Sequence, residues 1–223
     1  TRYWRDWSSD VCSSDLLKRV VDSTFVTEGD LTAEFEAGIR ELTGAKHAIA
    51  ITNGTLAAYV CLKALGVGEG DEVIVPDLTF IATSNSVIMA GATPVFCDVF
   101  SDTYCLDYSK LGALLSEKTK AIMPVHLYGQ AANLTEITDF ANKHNLLVIE
   151  DAAQGVGVKF KGRHVGTLGD CGMLSFYGNK TITCGEGGVI LTDDSEIAKA
   201  CYKLKNHGRS RKGIFIHEDI GFN

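Results

Sequence analysis

Nowhere in this 223-residue chain is there a run of the roughly eighteen apolar residues that a membrane-crossing helix needs, so no helical span is expected. A basic excess is missing too: 21 Lys and Arg, spread along the chain, face 28 Asp and Glu, for a formal charge of −7. That balance gives no electrostatic footprint for nucleic acid, which is not an expected partner. None of the seven cysteines has C-x-x-C spacing, and their number is odd. They read as reduced thiols that fill apolar positions. No charged-then-apolar leader opens the sequence, and a cytoplasmic location is expected. No G-x-G-x-x-G opens a helix after the first strand, which argues against a dinucleotide-binding domain.

What is present is a hydrophobic content of 45%, enough to bury a large core in one to one and a half domains. Residues 1–16 hold both tryptophans and a Ser-Ser-Asp repeat but follow neither the helical nor the strand period. They read as a non-native or disordered leader and are set aside, leaving 17–223 as the folded unit. At the far end, Gly221-Phe222-Asn223 reads as a loop without a closing element, and a longer protein is expected.

From Leu31 onward, helical and strand patterns alternate through short Gly-containing links, the pattern of an α/β domain with a mostly parallel sheet. Strands are expected at 47–51, 72–75, 94–98, 121–125, 146–150, 172–176 and 188–191. Several are short and apolar throughout, as suits strands covered on both faces. Helices are expected at 31–42, 56–65, 81–90, 108–115, 134–144 and 195–206. Gly44, Gly66 and Gly91 follow three of them at positions suited to a left-handed end.

Ligands of open α/β sheets sit beyond the carboxyl ends of the strands, and there the sequence is rich in usable groups. Thr52-Asn53-Gly54-Thr55 leads into a helix and can offer N–H groups, a positive dipole end and a hydroxyl to a phosphate. Phe80 follows the second strand and can stack on a flat ring. Asp151 ends the fifth strand, where a buried carboxylate can pair with a protonated ring nitrogen, and Gln154 can reach a ring hydroxyl. Ser175 can add a second phosphate contact. Lys180 lies on the Gly-rich turn from Gly178 to Gly188, where its amine can form a Schiff base and later carry a proton. Each has an ordinary alternative: a strand-to-helix turn with a Thr cap, a core Phe, a helix-capping Asp, a solvated Lys. Their order along one sheet edge favours a pyridoxal phosphate (PLP) site. His126 and His164 read as satisfied structural histidines.

These residues resemble the DegT-type sugar aminotransferases of the fold-type I PLP-transferase class. The resemblance is carried by Phe35-Glu36, residues 46–49, Asn53-Gly54-Thr55, residues 70–76, 91–96 and 124–129, Glu150 to Gln154, and Ser175-Phe176. It implies the large domain of that fold, a mostly parallel mixed sheet of about seven strands flanked by helices, with a C-terminal small domain beyond this sequence. It further implies Lys180 as the PLP attachment point, Asp151 at the ring nitrogen, Gln154 at the ring hydroxyl and Phe80 on the ring. Gly54, Thr55 and Ser175 would hold the phosphate, joined by Asn223 from the neighbouring subunit of a homodimer. The Gly178 to Gly188 turn looks most like a branch that aminates a GDP-linked 4-keto-6-deoxy sugar with glutamate. Two other outcomes stay open: a non-catalytic PLP-binding regulator, and the sugar dehydratase branch, in which a histidine replaces the lysine.

Overall fold

The structure, a computed structural model, describes residues 11–24, 26–209 and 215–222. Its seven-stranded sheet is built from β1 (His47–Ile51), β2 (Glu72–Pro76), β3 (Thr93–Cys97), β4 (Thr119–Ile122), β5 (Leu147–Asp151), β8 (Cys171–Ser175) and β9 (Gly188–Thr192). β6 (Lys159–Phe160) and β7 (Arg163–His164) form a separate small hairpin. The spatial order is β1-β9-β8-β5-β4-β2-β3. Within this sheet only the β1/β9 and β8/β9 pairs are antiparallel. Six strands therefore run one way and β9 alone runs back, so six carboxyl ends share an edge with the start of β9.

Helices cover both faces. These are α1 (Val11–Ser23), α2 (Asp30–Thr43), α3 (Gly54–Ala64), α4 (Ala82–Met89), α5 (Leu111–Leu114), α6 (Leu134–His144) and α7 (Ser195–Lys205). Alternation along β2 illustrates the layering: Val73 and Val75 join the cluster under α3 and α7, while Ile74 faces the cluster under α6. A third cluster packs Ile39 of α2 against Ala48, Leu174 and Leu191. Asn53, Asn133 and Asp194 start α3, α6 and α7 by accepting backbone N–H bonds. Gly44, Gly66 and Gly91 take positive φ at helix ends, where a side chain would be strained.

Both edges of the sheet are blunted. Pro94 sits in β3, an edge strand, where its missing N–H costs little. On β1 the outward groups of Ala50 are taken by side chains: Ala50 N donates to Glu36 Oε1 at 2.8 Å, and Lys205 Nζ donates to Ala50 O at 2.9 Å. Such capping leaves less free edge for another strand to pair with.

Three expectations need adjustment. α1 begins at Val11, inside the stretch set aside as leader, whose first ten residues lie outside the described ones. The 121–125 strand runs instead over Thr119–Ile122, because Pro124 has no N–H to continue a ladder and Val125 returns only as an isolated bridge to Asp151. The helix expected at 108–115 is a 3-10 turn followed by the single turn of α5.

Candidate active site

The phosphate cup forms where β1 turns into α3. Asn53, not a threonine, is the cap; its Oδ1 accepts Leu56 N–H at 2.9 Å and its carbonyl accepts Ala57 N–H at 3.0 Å. Gly54 and Thr55 lie in the helix's first turn, where N–H groups have no intrahelical acceptor. A Cβ on Gly54 would stand 2.9 Å from Ser175 Cβ and 3.2 Å from Ser175 Oγ, so the fold brings this glycine directly against Ser175 at the end of β8. From behind, a Cβ on Gly188 would meet the Asn53 carbonyl carbon at 2.5 Å. The cup is thus built by backbone approach of three segments, with the Ser175 hydroxyl at its wall. A cleft of about 570 Å³ opens beside it, lined in part by Thr52, Leu56, Tyr59, Glu28, Glu186 and Lys205.

Asp151 lies one strand away, in register with Met173 of β8. No helix follows it, so the helix-cap alternative fails. Its side chain is buried and accepts from Thr83 Oγ1 at 2.8 Å and from Ala153 N at 3.1 Å. Loss of hydration raises its pKa; the Thr83 and Ala153 bonds and the Lys180 charge oppose that rise. Lys180 lies on the turn that follows β8, the strand beside β5. Its backbone N–H donates to Tyr177 O at 2.9 Å, and the side chain is half-buried with no hydrogen bond or ion pair among the described residues.

Gln154 Oε1 accepts Tyr128 N–H at 2.7 Å. That bond fixes the amide, so its NH₂ is the free end. Tyr128 itself holds a left-handed backbone (φ 53°, ψ 28°), strained for a side chain of its size. Phe80 is 67% exposed, so the core alternative fails for it as well. It is linked to the acid through its own segment, since Thr79 Oγ1 lies 3.0 Å from Thr83 Oγ1 and Thr83 N donates to Phe80 O. Asn223 falls outside the described residues.

Sequence reasoning missed Thr83, Tyr128 and the role of Glu150. Glu150, adjacent to Asp151 and fully buried, accepts from Gly166, Leu168 and Gly169 N–H at 2.6–2.7 Å and pairs with His126 Nε2 at 2.9 Å. Burial would raise its pKa, but His126 and these amides outweigh it and hold the carboxyl low. His126 Nδ1 accepts Ala132 N–H, which leaves Nε2 to donate to Glu150. His164 accepts Gly157 N–H, and burial lowers its pKa. Both histidines are structural. Among the described side chains, five cysteines are buried and free and Cys184 is exposed, as expected of thiols that mainly fill the core. No group of three or more His, Cys, Asp or Glu among the described residues can hold a metal.

The profile of the DegT/DnrJ/EryC1/StrS aminotransferase family matches residues 10–223. The chain belongs to this family. It is 48% identical over 210 residues to the GDP-perosamine synthase of Caulobacter vibrioides, covering 94% of this chain and 57% of that one. It superimposes on the aminotransferase from Psychrobacter cryohalolentis with a TM-score of 0.90 at 41% identity, covering 96% and 57% of the two chains. NtdA of Bacillus subtilis, solved with its cofactor PMP bound, superimposes at 0.85 with 35% identity, covering 94% and 48%. The chain thus spans a little over half the length of the curated relatives it matches. The fold is that of the PLP aminotransferases, and PLP is the cofactor of the family. The residues present fit that group: a cup that a Cβ would fill, a buried carboxylate, and an unbonded amine on the turn after the neighbouring strand.

Proposed function

We propose that the protein is a PLP-dependent aminotransferase that moves an amino group from glutamate to a nucleotide-linked 4-keto-6-deoxy sugar, in the manner of GDP-perosamine synthase. What supports this reading is buried Asp151 at the end of β5 together with the unbonded amine of Lys180 on the turn after β8, the neighbouring strand. When bound, the cofactor supplies an electron sink for the carbon that exchanges its amine for a ketone. Gly54 and Thr55 N–H with the Ser175 hydroxyl bind the phosphate. Asp151 would hold the proton on the ring nitrogen, the Gln154 NH₂ would serve the ring hydroxyl, and Phe80 would pack on the ring. Lys180 Nζ would be the attachment point for the cofactor and would serve as the general base.

The reading extends to a cytoplasmic homodimer in which Asn223 of one subunit completes the phosphate site of the other. Lys180→Ala is expected to lose turnover by about a thousandfold or more and to lose the yellow absorbance of the attached cofactor. Turnover of a keto-sugar nucleotide at the wild-type rate in that variant would overturn the assignment. Adding glutamate to the wild type should bleach the yellow form; a spectrum that stays unchanged would favour a regulator that holds the cofactor without turnover.

A further inference from the structure

We propose that Thr83 is a positioning residue that keeps Asp151 ionised and fixes its place relative to Phe80. The inference rests on the cofactor reading above and deepens it. Thr83 is fully buried near the start of α4, 68 residues from the acid in sequence, yet its hydroxyl meets Asp151 Oδ2 at 2.8 Å. Pairing with a protonated ring nitrogen requires Asp151 as a carboxylate, which can only accept, so in that state the Thr83 proton points at Asp151. Thr83 Oγ1 then has lone pairs left to accept, and the hydroxyl 3.0 Å away on half-buried Thr79 becomes the donor to it. The two hydroxyls form a directed chain that ends on the acid.

The consequence is electrostatic and geometric together. Burial disfavours the charge on Asp151, and a charge-assisted hydrogen bond from a hydroxyl that water does not reach offsets part of that penalty. Thr83 also donates its backbone N–H to Phe80 O at 3.1 Å, and Ser86 Oγ holds the Thr83 carbonyl at 2.8 Å. One residue thus ties the carboxylate assigned to the ring nitrogen to the segment bearing the aromatic assigned to the ring face.

Binding of pyridoxamine 5′-phosphate, compared with its 1-deaza analogue, tests this without turnover. The analogue has the same phosphate and ring substituents but no ring nitrogen. Thr83→Val should weaken the natural form about tenfold, the worth of one hydrogen bond to a charged group, and leave the analogue unchanged. Thr83→Ala should show the same selective loss if the valine variant misfolds, and Thr83→Ser should restore wild-type affinity. Equal weakening of both ligands in a folded variant, or no weakening of either, would overturn the proposal while leaving the cofactor reading intact. Wild-type protein that binds neither ligand would overturn both.

Discussion

Burial raises the pKa of Asp151, and the Thr83 hydroxyl, the Ala153 amide and the Lys180 charge offset that loss of hydration only in part. A carboxyl whose folded pKa stands above its ordinary value of 3.8 has full stability below that value and loses it as pH rises through the folded pKa. The cofactor-free protein therefore holds Asp151 at a cost near neutral pH. Asp151→Asn should raise the Tm of cofactor-free protein at pH 7–8 by about 2–4 °C, roughly 1 kcal/mol for a chain of this size. The gain should disappear as pH falls toward 4, and turnover should be lost throughout. Thermal unfolding across pH checks both signs. Glu150 next to it behaves oppositely, because four donors converge on its carboxylate and its stabilisation is present above the ordinary glutamate range. Two adjacent acids thus differ by partner and not by residue type. Sequence could offer Asp151 as a candidate but not Thr83 or the donors to Glu150, since those contacts close across 16 to 68 residues.

At the scale of elements, the cup depends on two glycines that were legible as turn residues but not as packing surfaces. Gly188 opens β9, and an added Cβ would meet the Asn53 carbonyl carbon at 2.5 Å and Gly54 N at 2.9 Å. Backbone atoms this close cannot swing aside as a side chain can. Gly188→Ala should cost about 1–3 kcal/mol in urea unfolding and weaken pyridoxamine phosphate binding, because relief requires the α3 start to move. Wild-type affinity in that variant would show that the cup does not depend on this approach. The seven sheet strands were readable because most are short apolar runs between helical patterns and short links. The β6/β7 hairpin was not, since two residues per strand carry no period. α1 was missed because residues 11–16 had been set aside, and Asn53 took the cap because its side chain reaches Leu56 N–H.

For the whole molecule, Phe80, Ile81, Ile88 and Met89 flank or belong to α4, and each is at least half exposed. The homodimer we propose would give such residues a partner surface. Sedimentation should return twice the chain mass, and Ile88→Lys should shift the population toward the monomer if α4 lies in the contact. A monomer at micromolar concentration would remove the dimer from the proposed function. The sequence by itself determined the order of the seven sheet strands and most of the helices between them, the fold class and the site candidates, because apolar periodicity and turn residues act locally. Tertiary structure alone decided that Gly54 meets Ser175 and that Thr83 binds Asp151. Each of these depends on which strands lie side by side, and the order β1-β9-β8-β5 is set by packing of the whole sheet rather than by any segment within it.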